Sequence, residues 1–497
     1  MDALIMGRAV LVASILFLAT PLAAQTEDAD WGDDQDEFGF ADTPDIDLSA
    51  QPTLTALQLK GFLRSRAGFW LNRLDEDPIS TLRQSLDLDG LYKGTGWRVV
   101  LGGHFEYDGA YELDESRYDD ATLASYRARY FPREQYVAFQ TAFIDVKFGR
   151  QTVAWGEGDV FSPLDIVNPR DLREPGLADL DDIRLSILAT QLGVVSAVGR
   201  FELIATHEGY FGEQPSPLSE YSPLAQVLRA NDLASTFLDD RTVRYKHTQA
   251  RYGLESGNIV ARWLLKAEGF DLGLYYGWLR DRQGVVVLPE GFELLDGLLD
   301  AGVSVNDLAG FPESIDLELD HRRYSLTGAS ISFVTGSFVA KSEWLMEFDK
   351  AYNTGRVSAS IPTIDIDTMT LLTGMAGVTY SGFSETTVSL EAQQSYPLSG
   401  GTNALFPVSA FQTAARVSKS YLRERLRLDV AATAMGLKAQ YGWLMRGGLA
   451  YELVDALKLT ALYVHYGAGT ASTVGPFNGL KTHDQLWLQI RWDFQIL

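Results

Sequence analysis

The sequence predicts an all-β protein, a transmembrane antiparallel β-barrel of about 18 strands (range about 16–18) with short periplasmic turns and long extracellular loops. Three observations carry that prediction. Apolar and polar residues alternate with a period of two in segment after segment, and the polar positions include charges in mid-strand. The connections between these segments alternate between short and long. The chain opens on a secretion-type leader and closes on an amphipathic strand.

In chain order, residues 1–24 read as a signal peptide. Arg8 precedes an apolar run from Ala9 to Thr20, and the small residues Ala23 and Ala24 precede Gln25 as a cleavage point. The run is too short to span a bilayer comfortably. Residues 25–50 are expected to form an acidic, disordered periplasmic tail. Thr26 to Ala50 holds ten acids and no Lys or Arg, so it repels itself and buries no core. Its Trp31, Phe38 and Phe40 leave room for a short docking motif or a loose Ca²⁺ site. The barrel is expected over 51–497.

In the first strand Leu57, Leu59, Leu63 and Phe69 share one face, while Lys60, Arg64 and Arg66 share the other. In GWRVVLGGHFEYD, Val99, Leu101, Phe105 and Tyr107 oppose Arg98, His104, Glu106 and Asp108. In SFVAKSEWLMEF, Phe338, Trp344 and Phe348 oppose Lys341, Glu343 and Glu347. Most such segments approach the roughly 9–11 residues that a tilted strand needs to cross a bilayer. Short connections include Lys93 to Gly96, Ala267 to Gly269, Thr335 to Ser337 and Ser381 to Ser384. Long ones include Gly109 to Arg133, Val153 to Asp182, Gly209 to Thr248 and Arg282 to Leu317. The last strand, QLWLQIRWDFQIL, has an oily face of Leu486, Leu488, Ile490, Trp492, Phe494 and Ile496. In lipid every backbone group must be paired, so this strand is expected to close the sheet against the first one. Arg491 then looks into the lumen.

The most distinctive stretch is GRQTVAWGEGDVFSPLDIVNPRDL, from Gly149 to Leu172. Gly-Arg-Gln at a strand end, then Trp155 and Gly156, then Asn168, Pro169, Asp171 and Leu172, resembles the hallmark of the Gram-negative outer-membrane family catalogued as domain of unknown function thirteen-oh-two. LKGFLRSRAGFWLN also resembles that family's first strand. The resemblance implies an outer-membrane channel or transporter for hydrophobic or lipid-like compounds. It implies partners as well, an RND-type exporter and a periplasmic carrier, beside the outer-membrane lipids and the barrel-assembly machinery that any such barrel meets. Family strands usually end on an aromatic residue that the machinery reads; here the chain ends on Leu497, three residues after Phe494.

The motif leaves the fifth strand and enters a long loop, and such a loop can fold inward as a constriction. Arg150, Gln151, Trp155, Gly156, Glu157, Asp159, Asn168, Pro169, Arg170 and Asp171 are its candidate residues. Arg150 is expected to seek Glu157, Asp159 or Asp171, and the loop's acids to meet Arg64, Arg66 and Arg98 across the lumen. Pro163 and Pro169 stiffen the loop, and Gly156 and Gly158 permit tight turns. A constriction and a purely structural lock both fit this pattern. Arg64, Arg66, Arg98, Lys341, Glu343, Glu347, Glu391 and Arg491 are candidate lumen charges, either a selectivity field or simply a solvated lining.

A net charge of −24 argues against nucleic acid as a partner, and the lack of cysteine suits an envelope protein. No Gly-x-Ser-x-Gly elbow or phosphate loop occurs. The six histidines show no metal-binding spacing. No enzyme activity, metal or cofactor is therefore expected. An outer-membrane acyl hydrolase with a triad assembled across strands is a minor alternative. A closed structural or adhesive barrel with partner-binding outer loops is the main one, and FELLDGLLDAG in the loop after Arg282 could supply an amphipathic helix for it.

Overall fold

Because side chains point alternately to the two faces of a strand, the period-two pattern becomes an inside and an outside once the sheet curls. The computed structural model describes residues 57–496 apart from 76, 178–182, 223–224, 226–240, 254, 288–312, 357–362, 402–403, 405–407, 410 and 471–476. The expected signal peptide, the acidic tail and the FELLDGLLDAG stretch lie outside the described residues.

The first seven strands are β1 (Leu57–Trp70), β2 (Ile79–Gly94), β3 (Trp97–Asp108), β4 (Ala128–Gln140), β5 (Ile144–Gln151), β6 (Ile187–Ser196) and β7 (Gly199–Thr206). The wall resumes with β9 (Ile259–Ala267) and β10 (Phe270–Arg280). It then runs through β13 (Arg323–Thr335), β14 (Phe338–Arg356), β15 (Thr363–Phe383), β16 (Thr386–Ser399), β17 (Gln412–Tyr421), β18 (Leu426–Met435), β19 (Trp443–Val454), β20 (Leu457–Gly467) and β21 (Gln485–Ile496). These eighteen strands form one antiparallel sheet in chain order. It closes where β1 pairs with β21, from Leu59 opposite Ile496 to Trp70 opposite Gln485. The even count puts the start of β1 and the end of β21 at the rim that carries the short turns.

The two faces follow the alternation. Leu63 and Trp492 are about half exposed on the outer face (46 and 49 %), whereas Arg64 on the inner face is 7 % exposed. Leu101, Trp344, Leu390 and Leu488 are outward and exposed as well. Such a belt is unfavourable in water and is stabilised by acyl chains.

The long loops depart from plain connections. In the loop after β7, β8 (Thr242–His247) forms a strand, and in the loop after β10 so do β11 (Val285–Val287) and β12 (Ser314–Asp320). β12 pairs with both others in a three-stranded sheet of its own. These segments are too short to cross a bilayer, so the membrane criterion passes over them, yet Val243, Ile315, Leu317 and Leu319 are buried. In the loop after β3 lie α1 (Ala110–Leu113) and α2 (Asp120–Tyr126); the Asp119 side chain caps α2 by accepting from the Thr122 N–H.

Candidate functional site: a loop across the lumen

The loop from Thr152 to Ser186 turns inward and touches the barrel on several sides. Its base is fastened by Asn168. The Asn168 Oδ1 accepts from the Val153 N–H at 2.6 Å, and its Nδ2 donates to the Gln151 carbonyl at 3.0 Å and the Leu185 carbonyl at 2.8 Å. One amide thus ties the start of the loop to its end. The Pro169 carbonyl accepts from Leu185 N–H at 2.8 Å, and the Gln151 amide donates to the Ala189 carbonyl at 3.0 Å. Arg150 belongs to this base too. It donates to the Ser186 carbonyl at 2.8 Å and pairs with Glu208 at 2.7 Å. The expectation that Arg150 would take Glu157, Asp159 or Asp171 is therefore corrected. Those acids are carried away along the loop, while Glu208 stands just past β7, two wall strands from β5.

Beyond the base the loop is held by apolar packing. Val153, Trp155, Leu164, Ile166 and Val167 share a buried cluster with inward residues of β6, β7, β9, β10, β13 and β14, among them Ile204, Tyr275 and Leu326. Trp155 is 1 % exposed, meets the Tyr275 ring edge-on at 5.8 Å and lies under the Arg262 guanidinium at 4.9 Å.

The tip then reaches β14 to β16. In the eighteen-strand ring β16 stands eight places from β5, almost diametrically across. Two wall carboxylates receive the tip's backbone. Glu343 accepts from the N–H groups of Glu157, of Gly158 at 2.9 Å and of Leu164 at 3.0 Å. Glu391 accepts from Asp159 at 2.6 Å, Val160 at 2.9 Å and Phe161 at 2.8 Å. Charge-assisted bonds of this kind are among the stronger hydrogen bonds. Lys341 bridges Asp159 at 2.5 Å and Glu391 at 3.4 Å. The turn needs its glycines. Gly156 has φ +99°, and a Cβ there would lie 1.9 Å from Ser162 Oγ; one on Gly158 would lie 1.8 Å from the Phe161 carbonyl oxygen. Burial, with the Glu343 carboxylate beside it, pushes the Glu157 carboxyl up to about 7.

The returning arm crosses to a third place. Arg170 binds Asp165 at 2.8 Å within the loop. Asp171 binds Arg173 at 2.7 Å, and Arg173 also takes Glu106 on β3 at 3.0 Å. Glu174 binds Arg83 on β2 at 2.5 Å. Against the cost of its burial, Arg83 holds the Glu174 carboxyl below the usual range. The Tyr466 hydroxyl donates to the Pro175 carbonyl at 2.7 Å, and Leu177 packs with Trp70, Tyr221 and Trp487. So the loop's acids do meet wall cations, but Lys341 and Arg83 in place of the expected Arg64, Arg66 and Arg98. Above this arm a hub joins four loops, because Glu220 receives Arg73 at 2.8 Å, Arg117 at 3.1 Å and His483 at 2.9 Å.

The remaining lumen charges are engaged as well. Glu347 pairs with Lys350 at 2.7 Å. Arg98 faces the Tyr136 ring at 5.7 Å. Arg66 donates to Gln489 at 2.8 Å and lies over Trp487 at 4.1 Å. Arg491 pairs with Asp493 at 2.7 Å and lies over Phe62 at 4.0 Å, and Arg64 faces the same Phe62 ring at 5.3 Å. A lining of independently solvated charges is thus corrected to one of paired and stacked charges. Sequence reasoning missed Arg83, Arg173, Glu174 and Glu208. Arg173 and Glu174 directly follow the motif, which was the available signal; Arg83 and Glu208 had none. It also missed the contact of His247 with His321 at 2.8 Å. Among the described residues no group of three or more His, Asp or Glu could hold a metal ion.

Residues 77–392 match the family described as "Protein of unknown function (DUF1302)". The chain belongs to that family. Its DUF1302 region spans β2 to β16 and includes the whole inward loop together with both wall carboxylates that hold the tip. No curated protein matches this DUF1302 chain. Among solved structures it is similar to OccK11 (OpdR) of Pseudomonas aeruginosa, at 9 % identity over 89 % of this chain and 96 % of that one, with a TM-score of 0.46. It is similar to OccAB3 of Acinetobacter baumannii at 10 % identity over 89 % and 99 %, TM-score 0.45. OmpF of Salmonella typhi, in complex with daunomycin, is similar at 8 % identity over 89 % and 100 %, TM-score 0.40. This DUF1302 protein is a closed, eighteen-strand antiparallel β-barrel with an apolar outer belt.

Proposed function

We propose that the protein is a channel of the Gram-negative outer membrane in which the 152–186 loop sets the narrowest point of the passage. The observation that carries this reading is the path of the loop tip, which leaves β5 and is held by Glu343 and Glu391 on β14 and β16. A loop needed only to stiffen the rim would find its partners at the rim. Glu391 instead lies six residues into its strand from the short-turn end. The cargo is a hydrophobic or lipid-like compound that an RND-type exporter and a periplasmic carrier deliver; the family resemblance supports this part. Replacing residues 157–161 by a Gly/Ser segment of equal length keeps Asn168 and the base. In planar bilayers that variant should show a larger single-channel conductance than the native barrel, with heat-modifiable mobility retained. Unchanged conductance from an assembled variant would show that the tip does not narrow the passage.

A further inference from the structure

The lipid-facing side of the wall carries two arginines at the long-loop end of β10 and β13. Arg280 stands directly opposite Arg323. Both point outward, because their neighbours Leu279 and Tyr324 are buried in the core inside the barrel. Like charges placed directly across a sheet destabilise it, so strand pairing does not account for the two. Their hydrogen bonds go to main-chain carbonyls. Arg280 donates to Glu255 at 3.1 Å and to His321 at 3.0 Å, and Arg323 donates to Glu255 at 2.6 Å and to Gly257 at 2.9 Å. A carbonyl holds a guanidinium in place but leaves its charge. Among the described residues the one acid whose charge acts on Arg323 is Glu255, an exposed residue that receives both arginines on its carbonyl. Arg323 Nη1 is shielded and has no acceptor among the described residues, an unmet donor that costs free energy. The Arg323 guanidinium also lies over the outward Trp278 ring at 3.9 Å.

From this pair toward the short turns, the same outer face holds a groove of about 410 Å³, within the ~300–1,000 Å³ that ligand clefts occupy. Its floor is Ala261 on β9, in register between Tyr276 on β10 and Leu203 on β7. Leu274, Trp263 and Phe201 form the next row. A small side chain between large ones leaves a slot, and its walls are open to the outside, Tyr276 being 53 % and Leu203 45 % exposed. Tyr276 is four residues before Arg280, about 13 Å along the strand. That distance keeps the groove within one leaflet of a hydrocarbon core ~30 Å thick.

We propose that the arginine pair and the groove together hold one phosphorylated lipid of the leaflet on the long-loop side, its phosphate on Arg280 and Arg323 and an acyl chain along Ala261. Charge complementarity names the head group, since guanidinium forks match phosphate oxygens in charge and in two-point geometry. The groove names the rest, because it opens on the belt that acyl chains already cover. Bound phosphate removes the repulsion between the two arginines and offers an acceptor to their free donor. The site lies on the lipid side of the wall, so it stands apart from the channel reading.

The test is native mass spectrometry of the whole barrel with dioleoyl phosphatidic acid and, for comparison, dioleoylglycerol, which has the same chains and no phosphate. Phosphatidic acid should be retained at least about tenfold more tightly. Ala261→Phe fills the groove floor from the lipid side and leaves both arginines in place. It should weaken phosphatidic acid binding several-fold, with heat-modifiable mobility kept. Arg323→Gln should bring the two lipids close to equal, whereas Arg323→Lys should keep part of the preference because the charge remains. An arginine that only fastens the Glu255 and Gly257 carbonyls would lower the unfolding midpoint in both Arg323 variants and leave the lipid preference as it is, which overturns the proposal. Equal retention of the two lipids by the native barrel overturns it too, as does native-like binding in Ala261→Phe. Inorganic phosphate that binds as tightly as phosphatidic acid also overturns it, since the groove would then contribute nothing.

Discussion

Two stretches of the same wall face the same lumen and are built oppositely. From β6 to β14 the inward face carries large apolar residues such as Ile187, Ile204, Tyr275 and Leu326, interrupted by paired charges such as Glu202 with Arg262, and the first part of the loop packs on the apolar ones as a buried core. From β17 to β21, in the half near the short turns, the inward residues are small or charged, such as Ala431, Gly448, Ala450, Arg427, Asp429 and Arg491, and the buried core of the loop does not include them. The first stretch resembles the interior of a soluble protein, where removing volume leaves a cavity. The second resembles a wetted surface, where single substitutions have little effect on stability. The contrast places the packed core on one side of the barrel and a wetted lining on the other.

The largest break in that contrast is expected from Trp155→Ala. The indole is almost fully buried between Tyr275 and Arg262. Its loss should lower stability by about 3–5 kcal/mol, measured by urea unfolding in lipid vesicles. The loop should also loosen, seen as noisier single-channel current. An unchanged unfolding midpoint would mean that the loop is not packed as a core.

A smaller effect is expected at the tip and depends on pH. The Glu157 carboxyl titrates at about 7 in the folded barrel, above its ordinary value of 4.5. A raised carboxyl favours the folded state most fully below that ordinary value, and the contribution is lost as pH rises through about 7. The unfolding temperature should therefore fall between pH 5 and pH 8, and open-channel current should rise over the same range. Glu157→Gln should flatten both curves. The depressed carboxyl of Glu174 responds at lower pH with the opposite slope, so it does not mask this window. A Glu157→Gln barrel with the native pH profile would remove Glu157 from the account.

The smallest effect is expected on the wetted side. Arg416 pairs with Asp429 at 2.8 Å, with about a third and a quarter of the two side chains exposed. Arg416→Gln should change stability by no more than about 1 kcal/mol, while moving the reversal potential in a salt gradient toward cation preference. A large loss of stability there would erase the distinction between the two walls.

Much of this architecture was legible in the residues themselves. The period of two assigned Leu63 to lipid and Arg64 to the lumen before any partner was known, because a strand cannot turn both side chains the same way. The expectation that both ends of the barrel lie at one rim set the even strand count, and the alternation of short and long connections set which rim carries the loops. The glycines and prolines of the motif marked a tightly folded loop. What only the tertiary structure decided is which charge meets which. Arg150 and Glu157 are seven residues apart, yet Arg150 stays at the base with Glu208 while Glu157 is carried to Glu343. Asp159 and Lys341 are 182 residues apart and touch. The side-chain direction of each residue is a local property of its strand. The pairing of lumen charges depends on how the sheet closes and on where an apolar core lays the loop, and both are set by the whole ring at once.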